Sequence, residues 1–291
     1  IEDVVRNFKS VEQYFSVTAY DLKLIDEPGF LKGQSLAGFR ADEDINSYAI
    51  SSLKRSLQSS HGRLIIDASL SQAACESVKQ TFGKPYINVL AENGLLNSST
   101  LLINPLSITD GEIGIIKEKD AAILFCPSDY ANMSGDHSLP GKVCDSGIRM
   151  IIGTGLTGTD ILSELKVLST LGFTNRLPYE SLMRTAVTAP AGIFGIGNIT
   201  GSIEKMKSAD MIILSLHDLR NSGVMPDLDS DSICWHIISS LTTKDISGII
   251  LKGQYVYDRN KKESEQENLK SAAKIAEMSS LLYSAGKFKE Y

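Results

Sequence analysis

Several patterns that would point to a particular kind of protein are missing from this sequence. Its four cysteines are Cys75, Cys126, Cys144 and Cys234. No two of them form a CxxC pair, so neither a zinc knuckle nor a dense disulfide framework is indicated. Isolated thiols fit a reducing compartment, and we therefore expect a cytoplasmic protein.

Long apolar runs and dense positive charge are also lacking. No apolar run approaches the roughly 20 residues that span a bilayer, and no signal-peptide pattern is visible. Lys and Arg number 29 against 35 Asp and Glu, a net charge of −6. Without a basic stripe, binding to nucleic acid or to an anionic membrane has little electrostatic support. The chain begins at Ile1 in an amphipathic pattern, which indicates a fragment of a longer chain or its ordered part.

Short apolar runs and amphipathic helical stretches alternate through the first 172 residues. The predicted strands are 14–22, 35–39, 63–67, 100–104, 121–127 and 147–155, and the predicted helices are 45–58, 71–82, 108–118 and 159–172. Ser71 is a suitable N-cap for the second helix. Strands and helices in this order predict an α/β fold in which helices cover a parallel sheet.

The regular alternation of predicted strands and helices ends in the last third of the chain. Residues 180–195 have a helical pattern that we expect to stop at Pro190. Strands are predicted at 209–214, 247–253 and 255–258, with a hairpin turn at Lys252-Gly253-Gln254. From about Lys262 the sequence is highly charged and helical.

One motif, Gly153-x-Gly155-x-x-Gly158, spells the dinucleotide-binding fingerprint after an apolar run. A dinucleotide site also needs a second strand that ends in an acidic residue about 20 residues further on. Residues 171–175 (LGFTN) form no strand and offer no carboxylate, which argues against a nucleotide. An anion site at the next helix N-terminus stays open, and capping of that helix by Thr157 or Thr159 is the simpler account.

From residue 30 onward the order of elements resembles the amidohydrolase superfamily, specifically its chlorohydrolase and cytosine/guanine deaminase-like branch. The segments LLINPLSITDGEIGIIKEKDAAILFCPSDYANMSG and SGIRMIIGTGLTGTDILSELKVLSTL look like strands six to eight of that family with their helices. The segment LMRTAVTAPAGIFGIGNITGSIEKMKSADMIIL is the most specific match, and SGIILKGQYVYD resembles a closing hairpin.

The resemblance implies a TIM-like (β/α) barrel flanked by a small β-sandwich domain. Residues 14–22 would be the third barrel strand, so the first two strands and their His-x-His motif would lie upstream of Ile1. We therefore expect barrel strands three to eight in 1–195, a small β domain in 196–260 and a C-terminal helix in 261–291. Six strands cannot close an eight-stranded barrel.

The same resemblance implies a zinc or iron site whose ligands are replaced in this chain. The family's strand-five histidine falls on Asp67 and its neighbouring glutamate on Leu70. The strand-six histidine falls on Asn104, a second histidine on Ser107, and the strand-eight aspartate on Gly155. We therefore expect no bound metal and no other cofactor.

Asp129, His137 and Asp160 could substitute for the lost groups, although helix capping is the simpler role for Asp160. The four histidines are His61, His137, His217 and His236. We expect each to be a surface or structural residue, because no two have the spacing of a local metal-binding pair.

Two functions remain open. The first is a catalytically impaired amidohydrolase-like protein that binds a small molecule or acts as a partner subunit, with a homo-oligomer, such as a dimer, as the expected assembly. The alternative is an active hydrolase or deaminase for non-peptide C–N bonds of a cyclic amide, amidine or aminated heterocycle. In that case Asp67, Asn104, Asp129, His137 and Asp160 are the residues expected at the site, because barrel chemistry lies at the carboxyl ends of the strands.

Overall fold

The computed structural model describes most of the chain between the third predicted strand and the end of the last hairpin. The described residues are 17–18, 37–40, 50–51, 54, 64–69, 71–132, 138–158, 160–171, 177–215 and 229–260. The predicted C-terminal helix, 261–291, lies outside them, as do Leu70 and His137.

The main sheet has six parallel strands that lie side by side in chain order. They are β1 (Val17–Thr18), β2 (Ala37–Arg40), β3 (Leu64–Asp67), β4 (Thr100–Ile103), β5 (Ala122–Phe125) and β6 (Met150–Ile152). In the register of the sheet Asp67 lies beside Ile103, Ile103 beside Leu124, and Phe125 beside Ile152. The predicted α/β fold with a parallel sheet is confirmed.

Nine α-helices are described in these residues. They are α1 (Gln72–Phe82), α2 (Tyr86–Glu92), α3 (Asp110–Glu118), α4 (Pro127–Ala131), α5 (Leu139–Ser146), α6 (Ile161–Thr170), α7 (Tyr179–Ala186), α8 (Thr188–Ile193) and α9 (Ser230–Ser240). Ser71 caps α1 as predicted, since its side chain accepts a hydrogen bond from the Ala74 N–H. Thr109 and Glu112 form a capping box at the start of α3.

Both faces of the main sheet are covered, which explains why its strands are apolar runs instead of alternating patterns. One face carries a large buried cluster that includes Leu64, Ile66 and Leu102 and packs against the helices. The other face carries a smaller cluster of Ile65, Leu101, Ala122 and Ile151, against which Ala189, Ile193 and Phe194 pack. Asp67 follows the same alternation as Ile65 and so belongs to the smaller cluster's face.

A second, antiparallel sheet contains β7 (Met211–Leu214), β8 (Ile246–Leu251) and β9 (Gln254–Asp258). Lys252 and Gly253 connect β8 to β9, and both have positive φ, 49° and 78°. Two successive left-handed residues are typical of a type I′ turn, so the predicted hairpin turn is confirmed.

Two predictions about the helices need correction or extension. Pro190 does not end the helical stretch, because the break falls at Val187 and Pro190 lies within the first turn of α8, where its missing N–H costs no hydrogen bond. Ile238 of α9 belongs to the large cluster beside the main sheet. This helix lies inside the range 196–260 that we expected to form the small β domain, so that boundary stays a prediction.

The described strands form one parallel sheet and one small antiparallel sheet. Closure into a barrel and completion of a sandwich therefore stay predictions. Within the described part of the chain, no helix is both long enough and apolar enough to cross a lipid bilayer.

Candidate functional site

Polar side chains gather where β3, β4 and β5 end. Asp67 is the last residue of β3, Asn104 follows β4 directly, and Asp129 lies in α4, which begins just after β5. The carboxyl ends of parallel strands lie on one edge of a sheet, where α/β proteins place their ligands. The residues predicted at 67, 104 and 129 are thus brought to a common edge.

Asp67 is half-buried and keeps one carboxylate oxygen available. Ser69 donates both its N–H and its hydroxyl to Oδ1 of Asp67, at 3.1 and 2.5 Å. Within the described residues no donor reaches Oδ2. The carboxylate is therefore oriented by the turn after β3 and still able to accept a proton or a hydrogen bond.

The phenol of Tyr86 lies near Asp67 and was not predicted as a site residue. Tyr86 is only 3% exposed, and among the residues that the structure describes its hydroxyl has no hydrogen-bond partner. Burial, followed by the negative charge of Asp67, raises the pKa of Tyr86 well above its ordinary value. In the sequence Tyr86 follows Pro85 at a helix start and looks like any core aromatic, so no local signal marks it.

Asn104 is fully buried and acts as a connector in the structure. Its backbone has a left-handed φ of 50°, which turns the chain away from β4. Its side-chain Oδ1 accepts the N–H of Cys126 at 3.0 Å, and its Nδ2 donates to Oδ2 of Asp129 at 3.4 Å. The amide thus joins the end of β4 to the segment after β5.

Asp129 is held by the loop that follows β6. Its Oδ1 accepts the Thr157 N–H at 2.9 Å and the Thr157 hydroxyl at 2.7 Å, and the Leu156 N–H lies 3.1 Å from both carboxylate oxygens. Successive backbone N–H groups that converge on one point form an anion-binding nest. The anion in this nest is the protein's own carboxylate.

The three glycines of the fingerprint motif make room for neighbouring side chains. A Cβ on Gly153 would lie 2.7 Å from Cδ2 of Leu124. A Cβ on Gly155 would overlap the Asp129 carboxylate and lie 2.9 Å from Cβ of Cys126. A Cβ on Gly158 would overlap the Glu164 carboxylate and the Thr154 carbonyl oxygen. Two of the three glycines thus accommodate carboxylates, which argues against a pyrophosphate at this loop.

Glu164 is a second residue that the sequence pattern did not single out. Its side chain is fully buried, accepts the N–H of Ser128 at 2.8 Å and the Ser128 hydroxyl at 2.5 Å, and so ties α6 to the start of α4. A charged residue at a buried position of an amphipathic helix was the available signal, since such residues are rarely buried without partners.

The remaining predicted residues have the following places. Asp160, not Thr157, caps α6. It directly precedes the first helical residue, and its carboxylate accepts the Ser163 N–H at 3.0 Å. Ser107 is half-buried in the turn after β4. Leu70, His137 and Thr159 lie outside the described residues. His236 is buried in α9.

Cys126 is buried and lies near several carboxylates. Burial is the main cause that raises the pKa of this thiol to about 12, and the nearby carboxylates of Asp129, Glu164 and Asp67 raise it further. The Cys126 thiol therefore stays neutral at physiological pH, which makes it a poor nucleophile.

The described residues at this edge do not fit a zinc or iron centre. The side-chain amide of Asn104 is hydrogen-bonded to Cys126 and Asp129, and the carboxylate of Asp129 accepts hydrogen bonds from the loop after β6. Gly155 has no side chain. Within the described ranges no three His, Cys, Asp or Glu side chains converge as a metal-binding group. Water-activating zinc prefers imidazole and free carboxylate ligands, and these residues do not offer such a set.

Comparison with known proteins shows what this arrangement is related to. Over 196 residues the chain is 22% identical to the 5'-deoxyadenosine deaminase of Methanosarcina acetivorans, covering 64% of this chain and 44% of that protein. Over 213 residues it is 25% identical to the 5-methylthioadenosine/S-adenosylhomocysteine deaminase of Syntrophomonas wolfei, covering 69% and 48%. The homologues and structural neighbours are deaminases and chlorohydrolases of the amidohydrolase superfamily.

Solved structures of that superfamily share the fold. An adenosine deaminase from Xanthomonas campestris with bound zinc superposes with a TM-score of 0.65 at 17% identity, covering 81% of this chain and 54% of that one. The guanine deaminase of E. coli gives 0.63 at 16% identity, covering 79% and 57%. The chain spans about half the length of these amidohydrolase relatives. No protein-family model matches the sequence.

Proposed function

We propose that the full-length protein hydrolyses the C–N bond of an amino group on a heterocycle of the purine kind. The proposal is carried by the polar edge formed by Asp67, Asn104 and Asp129, at the end of a fold shared with deaminases. The named activities of relatives, on 5'-deoxyadenosine, 5-methylthioadenosine, S-adenosylhomocysteine and guanine, all involve an aminated purine ring. A TIM-like barrel and a small sandwich domain are part of this proposal.

Hydrolysis of such a bond needs one group that moves a proton. Water adds to the ring carbon that bears the amino group, and the C–N bond breaks as the nitrogen gains a proton and leaves as ammonia. Asp67 is suited to take the proton from the attacking water and return it to the leaving nitrogen, because its Oδ2 is available while Ser69 holds its Oδ1. Asn104 and Asp129 would shape the floor of the site through the hydrogen bond between them.

Ammonia release tests the proposal. The full-length protein is incubated with 5'-deoxyadenosine, 5-methylthioadenosine, S-adenosylhomocysteine, guanine and an amino-triazine, and ammonia is measured by a coupled assay. We expect release from at least one of them. Asp67→Ala should reduce the rate roughly 10²- to 10⁴-fold, the usual contribution of a general base. Asp145→Ala, which removes an exposed carboxylate from α5, is the matched control and should keep the rate.

A second candidate function is a non-catalytic binding protein or partner subunit. It is favoured by one specific observation, the amide of Asn104 and the bare Gly155 at positions where the resemblance implies a histidine and an aspartate. In this case titration calorimetry would show binding of one of the same compounds by the wild-type protein, while no ammonia appears. If neither binding nor ammonia release occurs with these compounds, deaminase activity on them and binding of them are both rejected, and the partner-subunit function is the one that stays.

A further inference from the structure

The side chains at positions 129 and 155 compete for one volume. Asp129 lies in α4, which follows β5, and Gly155 lies in the loop that follows β6. The two residues therefore follow neighbouring strands of the sheet. A Cβ on residue 155 would overlap the Asp129 carboxylate, and Cβ of Cys126 closes the space from another side at 2.9 Å. The carboxylate cannot simply swing away, because Leu156, Thr157 and Asn104 all donate hydrogen bonds to it.

We infer that the Asp129 carboxylate is the anion that occupies the glycine loop, residues 153–158. We also infer that positions 129 and 155 cannot both carry a side chain that enters the space between them. A carboxylate at 129 requires glycine at 155, because any side chain on 155 would enter the same space. The Asp129 carboxylate also occupies the N–H groups of Leu156 and Thr157 that would otherwise attract an external anion. The loop is thus closed to phosphate, and a carboxylate on 155, as the resemblance implies for the superfamily, is accepted only when 129 is shortened.

The inference concerns packing and loop anchoring, so it does not depend on the proposed deaminase activity. A double-mutant cycle tests it in the full-length protein, with the midpoint of thermal unfolding as the readout. The variants are Asp129→Gly, Gly155→Ala and the double variant. Gly83→Ala is the matched control for backbone strain, because Gly83 also has a left-handed φ, 69° against 60° for Gly155, and a Cβ there meets nothing within 4 Å.

The expected pattern is specific. Gly83→Ala should lower the midpoint by about 2–8 °C, the shift that corresponds to strain of an alanine at positive φ. Gly155→Ala should lower it by at least about twice as much, because the clash adds to the strain. Combined with Asp129→Gly, the Gly155→Ala change should cost clearly less than it does in the wild type, while the Cβ of Cys126 at 2.9 Å keeps its cost above that of the control change at Gly83.

A second pair of variants separates charge from volume. Asp129→Asn keeps the volume, so Gly155→Ala should remain as damaging in that background as in the wild type. Amide hydrogen exchange of the segment 153–158 supplies a local readout: Asp129→Gly should speed exchange there, while exchange in α1 stays unchanged. Additive midpoint shifts in the Asp129→Gly background, or unchanged exchange in 153–158, would overturn the inference.

Discussion

At the scale of single residues, the candidate site is defined by how each carboxylate is engaged. Asp67 has one oxygen held by Ser69 and the other available, whereas Asp129 has both oxygens engaged by Leu156, Thr157 and Asn104. An available carboxylate can move protons, and a saturated one holds structure. This difference is why Asp67, and not Asp129, is the residue proposed for proton transfer.

The buried thiol of Cys126 and the half-buried thiol of Cys144 give a residue-scale prediction about pH. The pKa of Cys126 and that of Cys144 are each raised from 9.0 to about 12, mainly by burial. At pH 8 the thiolate fraction of each should therefore be about a thousandfold lower than in the unfolded chain, and alkylation by iodoacetamide, followed by mass spectrometry, should be slower in proportion. Cys234, which is less buried, should react faster.

The same shift has a sign for stability. A folded-state pKa above the unfolded value means that the folded protein holds the proton more tightly, so the contribution is fully present below pH 9. It is lost as the pH rises from 9.0 toward about 12. Labelling of Cys126 in the folded protein at the rate of an unfolded peptide would contradict this picture of a neutral, buried thiol.

At the scale of elements, the helices that follow β5 and β6 are joined by side-chain hydrogen bonds. Glu164 of α6 accepts both polar groups of Ser128 at the start of α4, and Asp129 of α4 reaches the loop that precedes α6. In the first link a carboxylate of α6 accepts hydrogen bonds from α4, and in the second a carboxylate of α4 accepts them from the loop before α6. Each helix therefore restrains the other. The segments that carry the site are thus positioned by packing between helices as well as by the sheet.

Loss of the Glu164 carboxylate should release one of these links. Glu164→Ala leaves the half-buried Ser128 N–H without its buried acceptor, and we expect a loss toward the lower end of the about 1–3 kcal/mol that a fully buried unsatisfied donor costs. Urea unfolding should show a lower midpoint with an unchanged slope. Glu118→Ala, on the exposed side of α3, is the control and should change the free energy of unfolding by less than about 0.5 kcal/mol. Equal effects of the two variants would argue against the link.

Local sequence signals predicted these elements well where they are self-contained. Apolar runs predicted the strands β3 to β6, and a suitable N-cap residue, Ser71, predicted the start of α1. Turn residues predicted the hairpin turn at Lys252-Gly253. Pro190 misled the helix prediction because proline is tolerated in a helix's first turn.

The details of the site were harder to predict, because they depend on residues far apart in the chain. The contact between position 129 and position 155, or between Ser128 and Glu164, exists only once neighbouring strands are paired. The glycine motif looked like a fingerprint in one dimension, and only the packing around it shows why glycine is required. Tyr86 carried no signal at all, since its proximity to Asp67 arises from the fold.

At the scale of the whole molecule, the fold and the residues at the strand ends give different information about function. The parallel sheet and its helices resemble those of solved deaminases, with TM-scores of 0.65 and 0.63, and the sequence is 22–25% identical to the two curated deaminases compared above. The residues at the strand ends depart from what a metal centre requires. A shared fold hosts many functions, so the activity has to be settled by the polar edge itself.

We expect a ligand to bind where β3, β4 and β5 end, and not on the backbone of residues 153–158 after β6. A crystal structure of the full-length protein soaked with 5'-deoxyadenosine tests this most directly. We predict density for the purine ring within hydrogen-bond distance of Asp67, with Asp129 still bonded to Leu156 and Thr157. Density for the nucleoside on the backbone of residues 153–158, with Asp129 displaced, would contradict the account.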